Sequence, residues 1–211
     1  MASLCLIFDL DGTLVDSEKL CNQAFLDLLP ELNVSTDTLM NRYRGKKLAL
    51  ILADLEQQLG SRLPDSFEDR YRQHVSELFS SYLKPIPGVP EMLEINRYPC
   101  CIASSGPLAK ICHALQVSRL APYFHNRVFS SYEIGSWKPD PGLFLYAANV
   151  MGFEPERCVV IEDSPVGIEA AIAAGMMALQ YIQQDGLQRH PASQSFSDMS
   201  ALQPLLKEIA N

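Results

Sequence analysis

Two aspartates separated by one residue, Asp9 and Asp11, stand at the end of a short apolar run, Leu4-Cys5-Leu6-Ile7-Phe8, and Gly12 follows directly. The run reads as a strand buried on both faces, as inside a parallel sheet. An Asp-Gly turn accounts for one acid and the glycine, but it accounts poorly for the second acid. Carboxylates at the edge of an apolar strand are costly to desolvate unless a cation sits between them. Further polar groups follow apolar runs in the same way: Ser104-Ser105 after 98–103, Lys138 after 127–130, and Glu162-Asp163 after 158–161. Taken singly, the serines are helix caps, the lysine a solvated loop residue and the acid pair a surface turn. Taken together they supply acids for a hard cation, a lysine, and hydroxyls at the start of a helix, where backbone N–H groups bind phosphate. Such a set holds Mg²⁺ and a phosphoryl group at once.

The positioning of these groups falls to alternating strands and helices. Leu108, Ile111, Cys112 and Leu115 recur at helical spacing and predict a helix after Ser104-Ser105, with Pro107 at its first position. Phe144, Ala147, Ala148 and Met151 predict another, capped by Asp140 and closed by Gly152. Ser164 caps a third, with Pro165 at its first position and Gly175 after its last. A fifth strand is predicted at 177–181 and a terminal helix at 202–209. This alternation predicts an α/β, Rossmann-like parallel sheet covered on both faces, with ligands at the carboxyl ends of its strands. Residues 16–84 break the pattern and read as all helical. Ser17 is the expected cap of a helix with Leu20, Ala24 and Leu28 on one face, and further pieces fall at 36–42, 47–59 and 67–82. The shift divides the chain into a core, 1–15 and 85–211, and an inserted helical cap, 16–84. Pro85, Pro87, Gly88 and Pro90 make the stiff linker.

The 211 residues suffice for one sizeable core with an insertion. A net charge of −8 argues against a nucleic-acid surface. No apolar run approaches the ~20 residues of a membrane helix, and the N-terminus lacks the basic region and cleavage site of a signal peptide. The six cysteines are scattered without CxxC or zinc spacing; Cys100 and Cys101 read as core residues. That usage fits a reducing cytosol. The expectation is a cytoplasmic monomer whose partner is a small phosphate ester, with no nucleic acid and no membrane. One local anomaly stands out in this acidic chain: Arg42, Arg44, Lys46 and Lys47 crowd around Gly45. Its ordinary reading is a solvated basic loop.

In order, Asp9-Leu10-Asp11-Gly12-Thr13, Ser104, Lys138-Pro139 and Glu162-Asp163-Ser164 resemble the motifs of the haloacid dehalogenase superfamily of phosphotransferases. The resemblance covers the whole chain and is nearest to the β-phosphoglucomutase-like phosphatases. DLDGT and VVIEDSPVGIEAAIAAGM are its specific parts. It implies a Mg²⁺-dependent phosphatase acting through an aspartyl-phosphate on a small phosphorylated metabolite. Asp9 would be nucleophile and metal ligand. Asp11 would be general acid–base, its carbonyl on the metal. Asp163 would be a further metal ligand, with Glu162 bound directly or through water. Ser104, Lys138 and a backbone N–H near Ser105 would hold the phosphoryl oxygens, and Thr13 would pack in the turn.

The resemblance also places the basic loop, Arg44, Gly45 and Lys46, at the substrate's distal end. Cations there suit a sugar-acid phosphate such as a phosphogluconate. The dehalogenase and phosphonoacetaldehyde-hydrolysing branches lack an acid at the position of Asp11, so phosphate esters are the expected substrates. The mutase branch is the near rival. It carries a cap histidine where this chain has Cys21 and a cap arginine where it has Leu48, so hydrolysis is expected over isomerisation. A phospho-accepting receiver domain has a comparable set of groups, but it is short and carries its acceptor Asp in a middle strand. A nucleotide-binding P-loop fails, because Gly45-Lys46 lacks the upstream glycine and a following Ser or Thr.

Overall fold

A computed structural model describes residues 4–183 and 189–209 of the chain. Six strands form one parallel sheet: β1 Cys5–Phe8, β2 Cys100–Ser104, β3 Val128–Ser130, β4 Cys158–Glu162, β5 Met177–Tyr181 and β6 Gln194–Phe196. Their order is β3-β2-β1-β4-β5-β6. β1 lies between β2 and β4, with Phe8 in register with Ile102 on one side and Ile161 on the other. The connections diverge from β1 to both sides, and a parallel sheet opens its binding crevice at that point. The α/β architecture read from the sequence is the one observed. β6 is the addition: three residues with one apolar side chain, too short to show alternation.

Successive residues of β1 point to opposite faces. Leu6 and Phe8 enter one apolar cluster, and Cys5 and Ile7 enter the other, all fully buried. Cys100, Cys101 and Cys158 are buried as well; Cys21 is half-buried, Cys112 is exposed, and all six thiols are free.

Between β1 and β2 the chain forms α1 Glu18–Leu28, α2 Thr36–Tyr43, α3 Leu48–Leu59 and α4 Phe67–Tyr82. Their shared interior is aromatic. Phe25 stacks on Tyr71 with centroids 4.1 Å apart and meets Tyr43 edge-on at 6.4 Å. The chain leaves and re-enters the sheet region through two adjacent segments. Asp16 N donates to Lys84 O at 3.0 Å, and Ile86 N donates to Leu14 O at 2.9 Å.

The remaining helices are α5 Val89–Ile95, α6 Leu108–Val117, α7 Ala121–Phe124, α8 Ser131–Ile134, α9 Gly142–Met151, α10 Pro165–Ala173 and α11 Leu202–Ile209. Ser164 caps α10 as read, accepting from Gly167 N at 3.2 Å. Asp140 accepts from Gly142 N at 2.9 Å, just ahead of α9. Ser17 corrects the sequence reading. It precedes α1 but makes no side-chain cap, because its hydroxyl is drawn to Asp11 instead. No helix among the described residues is long and apolar enough to cross a membrane.

Candidate active site at the strand ends

β1, β2 and β4 end side by side, so the groups that follow them meet. Asp9, Glu162 and Asp163 are buried and bring carboxylate oxygens within 4.8 Å of one another. Lys138, its side chain 3% exposed, donates from Nζ to Asp9 Oδ1 and, at 2.8 Å, to Glu162 Oε1. The other oxygen of Glu162 accepts from Ser164 N at the start of α10. Thr13 Oγ1 lies 3.5 Å from Asp163 Oδ1. Gly12 has a φ of +78° that suits a residue without Cβ, and a Cβ there would lie 2.6 Å from Asp163 Oδ2. The turn thus closes directly over the acid.

Ser104, at the end of β2, is buried. Its Oγ accepts from Gly106 N at 3.1 Å, which directs its hydroxyl proton elsewhere. Ser105 stands beside it in the wall of a cleft of about 600 Å³. That cleft also takes in Asp9, Asp11, Lys138, Glu162 and Asp163. Opposite them stand Cys21, Phe25, Leu48, Tyr71 and Phe79 from the helical segment.

Electrostatics separate the two aspartates of the first motif. Burial raises the Asp9 carboxyl well above the usual range; Lys138 opposes this, while Glu162, Asp163 and Asp11 add to it. Burial likewise raises Asp163, with Glu162 and Glu18 pushing the same way and Arg44 opposing. For Asp11 burial also works upward, but Lys110, with help from Ser17 and Lys138, holds it below the ordinary value. Lys110 Nζ is 2.8 Å from each Asp11 oxygen, and Ser17 Oγ donates to Oδ1. Asp11 thus stands outside the Asp9–Glu162–Asp163 group, held by Lys110 and Ser17.

The residues of the basic loop between α2 and α3 have different surroundings. Arg44 is ion-paired rather than solvated. Its guanidinium bridges Asp163 at 2.9 Å and Glu18 at 3.0 Å, because buried acids capture the nearest delocalised cation. Gly45 lies against α10, where a Cβ would be 2.7 Å from Val166 Cγ2. Gly45 and Lys46 do line the cleft, and Lys47 sits 3.6 Å over the Trp137 ring.

Two charged residues join the site that the sequence reading passed over. Glu18, read as a first-turn acid, is pushed up to about 7 by burial; Arg44 opposes, and Asp11, Asp9 and Glu162 add to the rise. Lys110 was hidden on a helix read for its apolar stripe. It does carry a signal: a cation in the first turn opposes the helix dipole and calls for a partner.

The three-acid cluster suits a hard divalent cation. Its donors are all carboxylate oxygens, they converge on one point, and Lys138 and Arg44 offset their charge only in part. The chain belongs to the haloacid dehalogenase-like hydrolase family, whose model matches residues 4–175. It is 34% identical to the 6-phosphogluconate phosphatase of Escherichia coli over 205 residues, 95% of this chain and 93% of that one. It is 33% identical to a phosphorylated carbohydrates phosphatase of Thermotoga maritima, over 81% of each chain. The solved structure of a family hydrolase from Deinococcus radiodurans, with bound phosphate and sodium, superposes with a TM-score of 0.79. It is 28% identical and is covered over 99% of this chain and 96% of that one.

Proposed function

We propose that this chain is a Mg²⁺-dependent phosphatase that hydrolyses a phosphorylated sugar acid through an aspartyl-phosphate on Asp9. The observation that carries the reading is the buried Asp9–Lys138–Glu162–Asp163 cluster in the wall of one cleft. The similarity to a 6-phosphogluconate phosphatase supports the substrate class.

Asp9, Glu162 and Asp163 would hold the cation. Once bound, it would neutralise the acids and withdraw charge from the phosphoryl oxygens. Asp9 attacks phosphorus, an Asp9 oxygen–phosphorus bond forms, and the bond to the sugar oxygen breaks. Asp11, ionised while Lys110 holds both its oxygens, has to carry a proton in the substrate complex, and it gives that proton to the leaving oxygen. A water then attacks phosphorus, Asp11 takes the water's proton, and Asp9 is released with inorganic phosphate. Lys138 and the Ser104 hydroxyl hold the phosphoryl oxygens, with a backbone N–H near Ser105. Arg44 fixes Asp163 and ties the α2–α3 turn to the site. The helical segment 16–84 serves as the wall that shapes the sugar end, and Cys21 and Leu48 give it no polar hold on a second phosphate.

Phosphate release from 6-phosphogluconate, measured with Mg²⁺ and with EDTA, tests the reading. Release that needs Mg²⁺ is expected. Full activity in EDTA overturns the metal assignment. Conversion of β-glucose 1-phosphate to the 6-phosphate faster than phosphate appears would make the chain a mutase.

A further inference from the structure

The cleft contains one cation whose present partner sets it apart. Lys138 is shared by Asp9 and Glu162. Arg72 is held by Glu68 and the Tyr132 hydroxyl. Lys47 lies over Trp137, and Lys46 is exposed, where water and salt screen an ammonium. Lys110 is enclosed between α6 and α4. Its side chain is 24% exposed, its Nζ lies 5.7 Å from the Phe79 centroid, and it faces the cleft. Its ion-pair partner is Asp11, whose two oxygens both accept from it.

Resting on the phosphatase reading above, we infer that Lys110 is the specificity residue for a second anionic group on the substrate, a carboxylate on its carbon chain. For Asp11 to reach the leaving oxygen, one of its oxygens must be released from the ammonium. A substrate carboxylate exchanges like for like: the charge-assisted hydrogen bond lost to Asp11 is replaced by an equivalent one. A neutral hydroxyl accepts more weakly and leaves Lys110 on Asp11. Recognition of the anion and release of Asp11 are thus one movement of one side chain. Discrimination should therefore appear in kcat as well as in KM, whereas a remote surface cation would act on KM alone.

The test compares 6-phosphogluconate with sorbitol 6-phosphate, an open-chain ester of the same length that lacks the carboxylate. In the full chain with Mg²⁺, kcat/KM should favour the acid by on the order of tenfold or more, as expected for a charged hydrogen bond. Lys110→Met should bring that ratio down to near one with a loss in kcat for the acid, and Lys110→Arg should restore it. Lys110→Gln keeps length and a donor, and carries the same expectation if the Met variant does not fold. A ratio unchanged in these variants, a ratio that collapses in Lys46→Ala instead, or equal turnover of both esters by the unaltered chain each overturn the inference. Absence of phosphate release from either ester and from p-nitrophenyl phosphate would sink the phosphatase reading itself.

Discussion

The two walls of the cleft are built on opposite principles. The strand-end wall is charged: Asp9, Glu162 and Asp163 are buried, and their ion pairs join residues 24 to 129 positions apart in sequence. The helical wall is apolar and aromatic: Phe25 stacks on Tyr71 and meets Tyr43 edge-on, and Phe79 lines the cleft beside them. Fixed charge requires a rigid support, because a misplaced buried ion costs more than it returns. A wall that only shapes the substrate tolerates substitution so long as volume is kept.

That contrast is sharpest at Asp9. Asp9→Asn should lower turnover by at least about a thousandfold while the melting curve shows a folded protein. An active Asn variant would end the covalent reading. Phe25→Ala, on the other wall, should have the reverse profile. Losing a ring that is 1% exposed and stacked on Tyr71 should cost about 3–5 kcal/mol of stability in a chemical melt. Its kcat should survive better than its KM. Equal damage to kcat by both variants would erase the distinction between the walls.

Mg²⁺ should act on the charged wall alone. At a concentration about 100-fold above its Kd it should add about 2.7 kcal/mol. That corresponds to a rise of roughly 5–10 °C in Tm for a chain of this length. The gain should be absent in Asp163→Asn, and a gain that persists there would place the cation elsewhere.

The smallest effect belongs to the helical wall. His74 on α4 meets Asp27 of α1 at 2.8 Å, and hydrogen bonding to Asp27 raises its pKa above 6.5. A raised folded pKa means the pair stabilises fully below the unfolded value of 6.5 and loses that contribution as pH climbs through the folded value. The Tm difference between the native chain and His74→Ala should therefore be larger at about pH 5.5 than at about pH 9. A difference that grows with pH would contradict the pairing.

The two walls also differ in how legible they were. The strand-end groups could be read because apolar runs of four or five residues deliver the next polar residue to one edge of the sheet. Asp9, Ser104 and Glu162 needed no knowledge of distant contacts. The pairings across the cleft did need it. Arg44 lies 119 residues before Asp163 and Lys110 lies 99 after Asp11, and neither spacing leaves a periodic trace. Ser17 shows the limit of local chemistry. Its position suited a helix cap, but an aspartate six residues earlier took its hydroxyl. The Lys110 signal was present as a cation against a helix dipole, and a fold-level reading of α6 by its apolar stripe passed over it.

The distribution of thiols makes this chain convenient for site-directed chemistry. Cys5, Cys100, Cys101 and Cys158 are sealed in the sheet, and burial holds the half-buried Cys21 up to about 11, so little of it is thiolate at neutral pH. Cys112 is the exposed thiol, two positions beyond Lys110 on α6. Its neighbour His113 reaches Ser76 and Ser80 of α4. A maleimide dye should attach there once per chain without any engineered cysteine. It would place a fluorescent reporter at the seam where α6 meets the helical segment.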